Sequence, residues 1–229
     1  MNILITSATS ELGQELAAAL RGEHEIRLTD SITIDTDLEF TVSDLGHCES
    51  TNDLVREIDA IVHLATPPAN SVASDHIDHH TRCTYNLLMA AAEENVPRLI
   101  YASTLDLLEA YAPNLTVTER WRPRPSPKPP ILARHLGEMV CREFVREHLI
   151  QVICLRLGKI VREADVNDAE FDPTWVEIRD VAQAFNRALT AELGQWSVFH
   201  IQSDAPDGRF NVGAAKEVLD YAPQFDFRE

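Results

Sequence analysis

The chain has 229 residues, 45% of them hydrophobic and 25% charged, which excludes intrinsic disorder as its main state and predicts one domain spanning 1–229. Its net charge of -17 excludes non-specific nucleic-acid binding, because that binding requires a basic surface. No run approaches the ~20 apolar residues of a membrane span, and the N-terminus lacks the basic segment of a signal peptide, so we expect a cytoplasmic protein.

Short apolar runs alternate with helix-like segments along the chain. The runs predict seven strands, at 2–6, 25–30, 39–42, 59–65, 98–104, 151–157 and 196–201. Helices are predicted over 11–21, 54–58, 74–95, 131–147 and 179–192, the short one behind a capping box at Ser50 and Asp53. Most of the strands are apolar on both faces, which is typical of a parallel sheet covered on both sides. We therefore predict an α/β fold, a Rossmann-type doubly wound parallel sheet with strand order 3-2-1-4-5-6-7.

Two irregular segments, 105–130 and 158–175, follow predicted strands and are expected on the ligand side of the sheet. The first segment and the helix after it carry five basic residues: Arg120, Arg122, Arg124, Lys128 and Arg134. They either cover an anionic ligand or belong to a solvated loop that offsets the acidic body. The second segment carries four acidic residues: Asp165, Asp168, Glu170 and Asp172. Their charge disfavours a sugar acid as substrate.

The order of several motifs resembles a known enzyme superfamily. The first turn reads TSATSELG over 6–13, and the later motifs are DAIVHLA at 59–65, YNLLMAAA at 85–92 and WVEIRDVAQA at 175–184. This layout resembles the extended short-chain dehydrogenase/reductase superfamily, also called the NAD-dependent epimerase/dehydratase family. Within it, Arg156-Leu157-Gly158 and Thr174-Trp175 are most similar to the pattern of the uronate dehydrogenases.

The resemblance implies NAD as cofactor, with the adenosine ribose on Asp30 and the adenine near Asp44 and Leu45. The residues implied as cofactor contacts are Ser7, Ser10, Glu11, Leu12, Asp30, Asp44, Leu45, Leu64, Ala65, Thr66, Ser103 and His135. The family's GxxGxxG turn falls on Ser7, Ser10 and Gly13, so two of its glycines are serines. Glu11 also places a carboxylate where a helix N-terminus would receive pyrophosphate. NAD binding is therefore expected to be weak or lost.

The resemblance also implies a Ser/Thr, Tyr and Lys site with the spacing Y-x-x-x-K. The hydroxyl falls on Thr104, whereas alignment around Glu138 puts Ile131 at the tyrosine position and His135 at the lysine position. Isoleucine transfers no proton, so Thr104 and His135 are the remaining catalytic candidates and little or no dehydrogenase activity is expected. The family's relay asparagine falls on His80.

Two other readings stay open. The protein is alternatively an active NAD-dependent oxidoreductase or epimerase on a sugar-like substrate, with a rearranged proton donor. Tyr101, expected in the core, and Tyr111 are the substitute donors. It is alternatively an interaction protein that binds no nucleotide.

Partners and metals are the last expectations from the sequence. The family resemblance implies a homodimer through the helices predicted at 74–95 and 131–147. His76 and His80 lie one helical turn apart, but the pattern offers no third ligand, so no metal site is predicted. The four cysteines form no CxxC pair and are expected as reduced thiols.

Overall fold

Parallel strands form the centre of the computed structural model, which describes residues 1–68, 70–166, 169–204 and 208–227. The strands are β1 Asn2–Thr6, β2 Glu25–Asp30, β3 Glu39–Val42, β4 Ala60–His63, β5 Arg98–Thr104, β6 Gln151–Leu157, β7 Lys159–Val161, β8 Trp175–Glu177 and β9 Trp196–Ile201. Seven of them form one sheet in the order β3-β2-β1-β4-β5-β6-β9, with every pair parallel. The predicted order and fold class are confirmed. A separate sheet that pairs β7 with β8 was not predicted.

The helices follow the prediction with three differences, one of which is an unpredicted helix at Gly213–Leu219. They are α1 Glu11–Leu20, α2 Glu49–Val55, α3 Ala73–Asp78, α4 Thr84–Glu93, α5 Pro129–Arg146, α6 Ile178–Thr190 and α7 Gly213–Leu219. Cys48 is the N-cap of α2, so the predicted capping pair lies inside the helix instead of before it. A π-helical segment, His79–Cys83, joins α3 to α4 where one regular helix was expected. Such wider turns frequently occur at functional sites.

Helices cover both faces of the sheet because successive strand side chains point to opposite sides. Ile3 and Ile5 of β1 pack in the cluster that includes α1 and α6, whereas Leu4 between them packs in the cluster that includes α4 and α5. A third, smaller cluster lies beyond the sheet and contains Leu105, Leu107, Leu108, Val117, Ile131 and Phe210. It anchors the basic segment 105–130 against α5.

The strand order reverses between β1 and β4, since β2 and β3 lie on one side of β1 and the later strands on the other. In open α/β sheets this reversal opens a crevice at the carboxyl ends of the strands. The turn after β1 and the loop after β4 therefore border one crevice, which the end of β5 extends. Within the described ranges, no helix is long and apolar enough to cross a bilayer.

Candidate functional site

The turn after β1 adopts a backbone conformation that glycine normally supplies. Ser7 has a φ of 52°, in the left-handed region, where a Cβ costs roughly 1–2 kcal/mol. Its Oγ accepts a hydrogen bond from the backbone N–H of Thr66 at 3.0 Å, which joins the turn to the loop after β4. Gly13 is required at its position, because a Cβ there would lie 2.6 Å from the carbonyl oxygen of Ser7. The tight turn is thus kept although its first glycine is absent.

The N-terminus of α1 already has internal partners. The Oγ of Ser10 accepts a hydrogen bond from the backbone N–H of Gly13 at 3.1 Å and donates to the carbonyl of Ser7 at 2.7 Å. The carboxylate of Glu11 pairs with Arg162, whose Nε lies 2.5 Å from its Oε1. Arg162 therefore partly neutralises the negative charge of Glu11, which was expected to repel pyrophosphate. Sequence reasoning did not connect Arg162 to this turn. The pair is exposed to solvent, so it contributes little to stability.

Four of the predicted cofactor residues, one of them Ser7, meet at a small cavity of about 70 Å³. Asp30, Asp44 and Leu45 line it together, with Arg82 from the π-helical segment. The carboxylate of Asp30 accepts hydrogen bonds from the N–H and Oγ1 of Thr9, at 3.0 and 2.6 Å, and from the N–H of Ser31 at 2.7 Å. A ribose hydroxyl would have to replace the hydroxyl of Thr9. Small-molecule sites usually measure ~300–1,000 Å³, so a nucleoside also requires this cavity to widen.

A second cavity, of about 360 Å³, lies at the carboxyl ends of β5 and β6. Its walls include six of the predicted site residues: Ser10, Glu11, Leu12, Thr66, Ser103 and Thr104. The remaining polar wall comes from Arg134 of α5 and from Asp106, while Leu157 and Ile178 supply apolar surface. The structure therefore brings the first turn and the hydroxyls of β5 to one space.

The residue of α5 that lines this cavity directly precedes the predicted His135. Arg134 lines the 360 Å³ cavity, whereas His135, the residue aligned with the family lysine, is absent from its described lining. Successive helical residues lie about 100° apart, so a shift of one position turns a side chain off the cavity. The spacing K-x-x-x-E, counted back from Glu138, reaches Arg134, and the tyrosine position then falls on Pro130. His135 lies instead near the charges of Glu138, Arg156 and Arg122, and burial lowers its pKa.

No phenol is present among the described residues that line this cavity. Ile131 is 7% exposed and packs in the third cluster. Tyr101 is fully buried, as expected, and a hydrogen bond of 2.6 Å joins its hydroxyl to Nδ1 of His80. Burial raises the pKa of Tyr101 well above its usual value, which opposes any role as an acid at neutral pH. Tyr111 donates its hydroxyl hydrogen to the carbonyl of Arg122 at 2.8 Å, in the basic segment.

The two hydroxyls at the end of β5 have different partners. Ser103 donates to Oε1 of Glu138 at 2.6 Å, so its hydrogen is already engaged. The Oγ1 of Thr104 accepts from the backbone N–H of Asp106 at 3.2 Å, which leaves its hydrogen available to a ligand carbonyl. Below them, Glu138 and Arg156 form an ion pair at 2.8 Å with each side chain 4% exposed. Sequence reasoning used Glu138 only for alignment and missed this pair.

The two charged segments contribute unequally to the cavity. Of the five basic residues predicted near a ligand, only Arg134 is among its described lining residues. Arg124 instead stacks on the ring of Tyr111 at 4.5 Å. In the acidic segment, Asp172 accepts hydrogen bonds from Thr174, and Asp168 lies outside the described residues.

A group of potential metal ligands lies at the π-helical segment, apart from the predicted His76 and His80 pair. Asp78, His79 and Cys83 place their ligand atoms within 4.8 Å of one another. Arg82 donates two hydrogen bonds to the carboxylate of Asp78, at 2.8 and 2.7 Å. Burial raises the pKa of the Cys83 thiol to about 11, which disfavours the thiolate that a metal needs.

Comparison with known proteins gives the same fold and names related enzymes. A model of the NAD dependent epimerase/dehydratase family matches residues 3–169. A uronate dehydrogenase from Pseudomonas syringae pv. tomato is 26% identical, and the match covers 97% of this chain and 81% of that protein. The crystal structure of uronate dehydrogenase from Agrobacterium tumefaciens has a TM-score of 0.85 at 21% identity, over 98% of this chain and 84% of the other. A mutant of that enzyme complexed with NAD has a TM-score of 0.84 at 20% identity and covers the same shares.

Proposed function

Because the chain belongs to the NAD dependent epimerase/dehydratase family, we propose that it binds NAD weakly in the crevice and has little or no dehydrogenase activity. One observation carries the second half of this proposal. The cavity wall beside Thr104 presents Arg134, and no phenol is found among its described lining residues. Hydride transfer from an alcohol requires a group that accepts the hydroxyl proton, and the described lining contains neither the tyrosine nor the lysine that the family resemblance implies.

The cofactor part of the proposal rests on the two cavities. Asp30, Asp44 and Leu45 are together at the smaller one, where the adenosine would bind. The nicotinamide end would reach the larger cavity, whose walls include Ser10, Leu12 and Thr66. Ser10 caps the helix internally, and its Cβ takes space that a glycine would leave to pyrophosphate. We infer a lower affinity than a glycine-containing turn would allow.

The catalytic part follows from the chemistry of the two residues that face the ligand. Thr104 can donate its hydrogen to a carbonyl oxygen and polarise it. Arg134 can hold a ribose hydroxyl, but a guanidinium stays protonated in proteins and cannot serve as a base. General acid-base catalysis contributes about 10²–10⁴-fold, so its loss leaves slow turnover at most.

A second candidate is an active oxidoreductase on a sugar-like substrate with a rearranged proton donor. The free hydrogen of Thr104 favours it, because the carbonyl-polarising group is intact. The names of the relatives also favour it, because a uronate dehydrogenase is, as its name says, an enzyme that oxidises a sugar derivative. His135 stays the predicted base of this candidate, although a rotation of its helix or a bridging water would be needed for it to reach the cavity.

We also propose a homodimer through α4 and α5. Tyr85 and Met139 leave large apolar side chains 48% and 52% exposed on these helices. A surface groove of about 350 Å³ lies beside Met139, with Arg142 and Trp196 in its walls. Light scattering at high protein concentration should give the mass of two chains, and a monomer mass throughout would contradict this assembly.

Calorimetric titration with NAD, NADH and NADP tests the binding proposal. We expect weak binding of NAD, a further loss in Asp30→Asn, and no change in Asp37→Asn, an exposed acid that pairs with Arg21 outside both cavities. NADH formation is then followed with glucuronate, galacturonate, arabinose and glucose as substrates. The absence of any NAD binding would refute the first part of the proposal. Turnover that is abolished by Thr104→Ala would instead support the active oxidoreductase.

A further inference from the structure

Three side chains of different chemistry lie together where α3 meets the π-helical segment. Asp78, His79 and Cys83 place one potential metal-ligand atom each within 4.8 Å of one another. In a regular α-helix, Asp78 and Cys83 would point about 140° apart, because each residue turns the chain by about 100°. A π-helical turn pairs residue i with residue i+5, so it brings these two side chains to one side of the helix. The group therefore depends on the wider turn.

The spacing and the hydrogen bonds of this group suit a tetrahedral cation. The Sγ of Cys83 lies 3.8 Å from Oδ2 of Asp78. Ligands at zinc distances of about 2.0–2.3 Å lie about 3.3–3.8 Å apart across a tetrahedron, so these two atoms already have that separation. Nδ1 of His79 lies 3.0 Å from the carbonyl oxygen of Asp75, which only accepts, so the ring proton is assigned to Nδ1 and the lone pair to Nε2. Histidine ligands of metals usually have such a partner on their other nitrogen.

A positive charge already lies against two of the three side chains. Nη2 of Arg82 is 2.7 Å from Oδ2 of Asp78 and 3.4 Å from Sγ of Cys83. The side chain of Arg82 is 45% exposed, so it can turn into solvent, and an exposed ion pair of this kind contributes little to stability. A metal ion would therefore replace the guanidinium as the counter-charge of Asp78.

Space for a further ligand lies next to the group. His79 and Cys83 both line the cavity of about 70 Å³. One water molecule needs about 10–15 Å³ of such space, so the cavity can hold a water on the open side of an ion.

We propose that Asp78, His79 and Cys83 bind a zinc ion, with water from the adjoining cavity as the fourth ligand. Zinc prefers thiolate, imidazole and carboxylate ligands, whereas Mg²⁺ prefers oxygen ligands alone. Cys83 is a thiol before the ion arrives, so zinc displaces its proton, which passes to the buffer. The raised pKa of this thiol lowers the affinity that the site can reach. The inference concerns the metal alone and does not rest on the NAD proposal.

Metal titrations without any cofactor, on the chain without an affinity tag, test the proposal. Calorimetry and thermal unfolding are measured with ZnCl₂, and with MgCl₂ as a control for attraction to the acidic surface. We expect one zinc ion per chain and a higher melting temperature, because an ion that binds the folded state stabilises it. The same concentration of Mg²⁺ should do neither. Co²⁺ then replaces zinc in an absorption titration, in which a thiolate-to-cobalt charge-transfer band reports the sulfur ligand.

Four substitutions localise the ion. Cys83→Ser and His79→Gln should each weaken zinc binding by at least about 10-fold, since even the outer partners of metal ligands contribute about 10- to 100-fold. Cys48→Ser is the matched control, because this thiol is exposed and lies outside the group. Arg82→Gln should bind zinc more tightly than the parent, since no guanidinium then competes for Asp78. A purely structural role of Arg82 would not produce this gain.

The outcomes decide the assignment. If zinc does not bind, or if its affinity is unchanged in both Cys83→Ser and His79→Gln, the inference is wrong. Zinc binding without a thiolate-to-cobalt band would also overturn it, because Cys83 would then not be a ligand. Loss of zinc binding in Cys48→Ser would assign the ion to the exposed thiol instead. None of these results changes if the protein fails to bind NAD, so the two proposals can fail separately.

Discussion

Replacing Glu138 by glutamine tests the ion pair that lies under the cavity. The carboxylate accepts from Ser103 at 2.6 Å and from Arg156 at 2.9 and 2.8 Å. Glutamine has nearly the same shape, but it leaves the buried guanidinium without a counter-charge. Breaking one side of a buried pair costs about 3–5 kcal/mol, a large part of the ~5–15 kcal/mol that stabilises a domain.

Urea unfolding and thermal melting measure this loss. A cost of that size corresponds to a melting temperature lower by about 6–20 °C in a chain of this length. Glu143→Gln is the control, because Glu143 lies on the same helix and pairs with Arg146 at the exposed surface. The further replacement of Arg156 by methionine in Glu138→Gln should recover part of the loss, since it removes the unpaired charge.

The same prediction has a defined pH dependence. Burial acts to raise the pKa of Glu138, but the charge of Arg156 and hydrogen bonds from Arg156 and Ser103 outweigh it, so the pKa is lowered. A carboxyl group with a lowered folded pKa stabilises the protein above its unfolded pKa of about 4.3, and this contribution is lost as the pH falls through the folded value. The difference between the parent and Glu138→Gln should therefore be full at pH 7 and shrink below about pH 4. A difference under ~1 kcal/mol at pH 7 would refute the reasoning.

Three further predictions concern the turn, the helix register and the packing under the site. Ser7→Gly with Ser10→Gly and Glu11→Gln should tighten NAD binding, because two Cβ atoms and one charge leave the pyrophosphate region; unchanged calorimetric affinity would contradict this. In that background, Pro130→Tyr with Arg134→Lys should form NADH from sugars faster than Ile131→Tyr with His135→Lys. The reverse ranking in a kinetic assay would support the alignment that puts Ile131 at the tyrosine position and His135 at the lysine position. Gly137→Ala should lower the melting temperature, since its Cβ would lie 1.9 Å from the Tyr101 hydroxyl, whereas Gly194→Ala meets no atom within 4 Å. Tyr101→Phe should recover only part of this loss, because the ring Cζ would still lie 2.7 Å from the new Cβ. No recovery at all would contradict the assignment of the clash to the hydroxyl.

Local sequence patterns determined the sheet and its order. The strands are apolar on both faces and are separated by helices, so parallel pairing with right-handed crossovers leaves few topologies. The same reasoning placed Thr104 at the end of β5. These predictions depend on periodicity and on which end of a strand a residue occupies, and both can be read from neighbouring residues. The expectation that Asp30, Asp44 and Leu45 contact one nucleoside came instead from the family resemblance.

The side chains that complete the cavity were decided by tertiary structure. A residue predicted at the end of a strand stays at the same edge of the sheet even if the strand's bounds are wrong by one residue. A helix turns about 100° per residue, so a difference of one position changes the direction of the side chain. Arg134 therefore lines the cavity, whereas His135 is absent from its described lining. The pairing of Glu11 with Arg162 joins residues 151 positions apart, and no local pattern encodes it. The partner of a charge, unlike the period of a helix, depends on which distant segments the fold brings within a few ångströms.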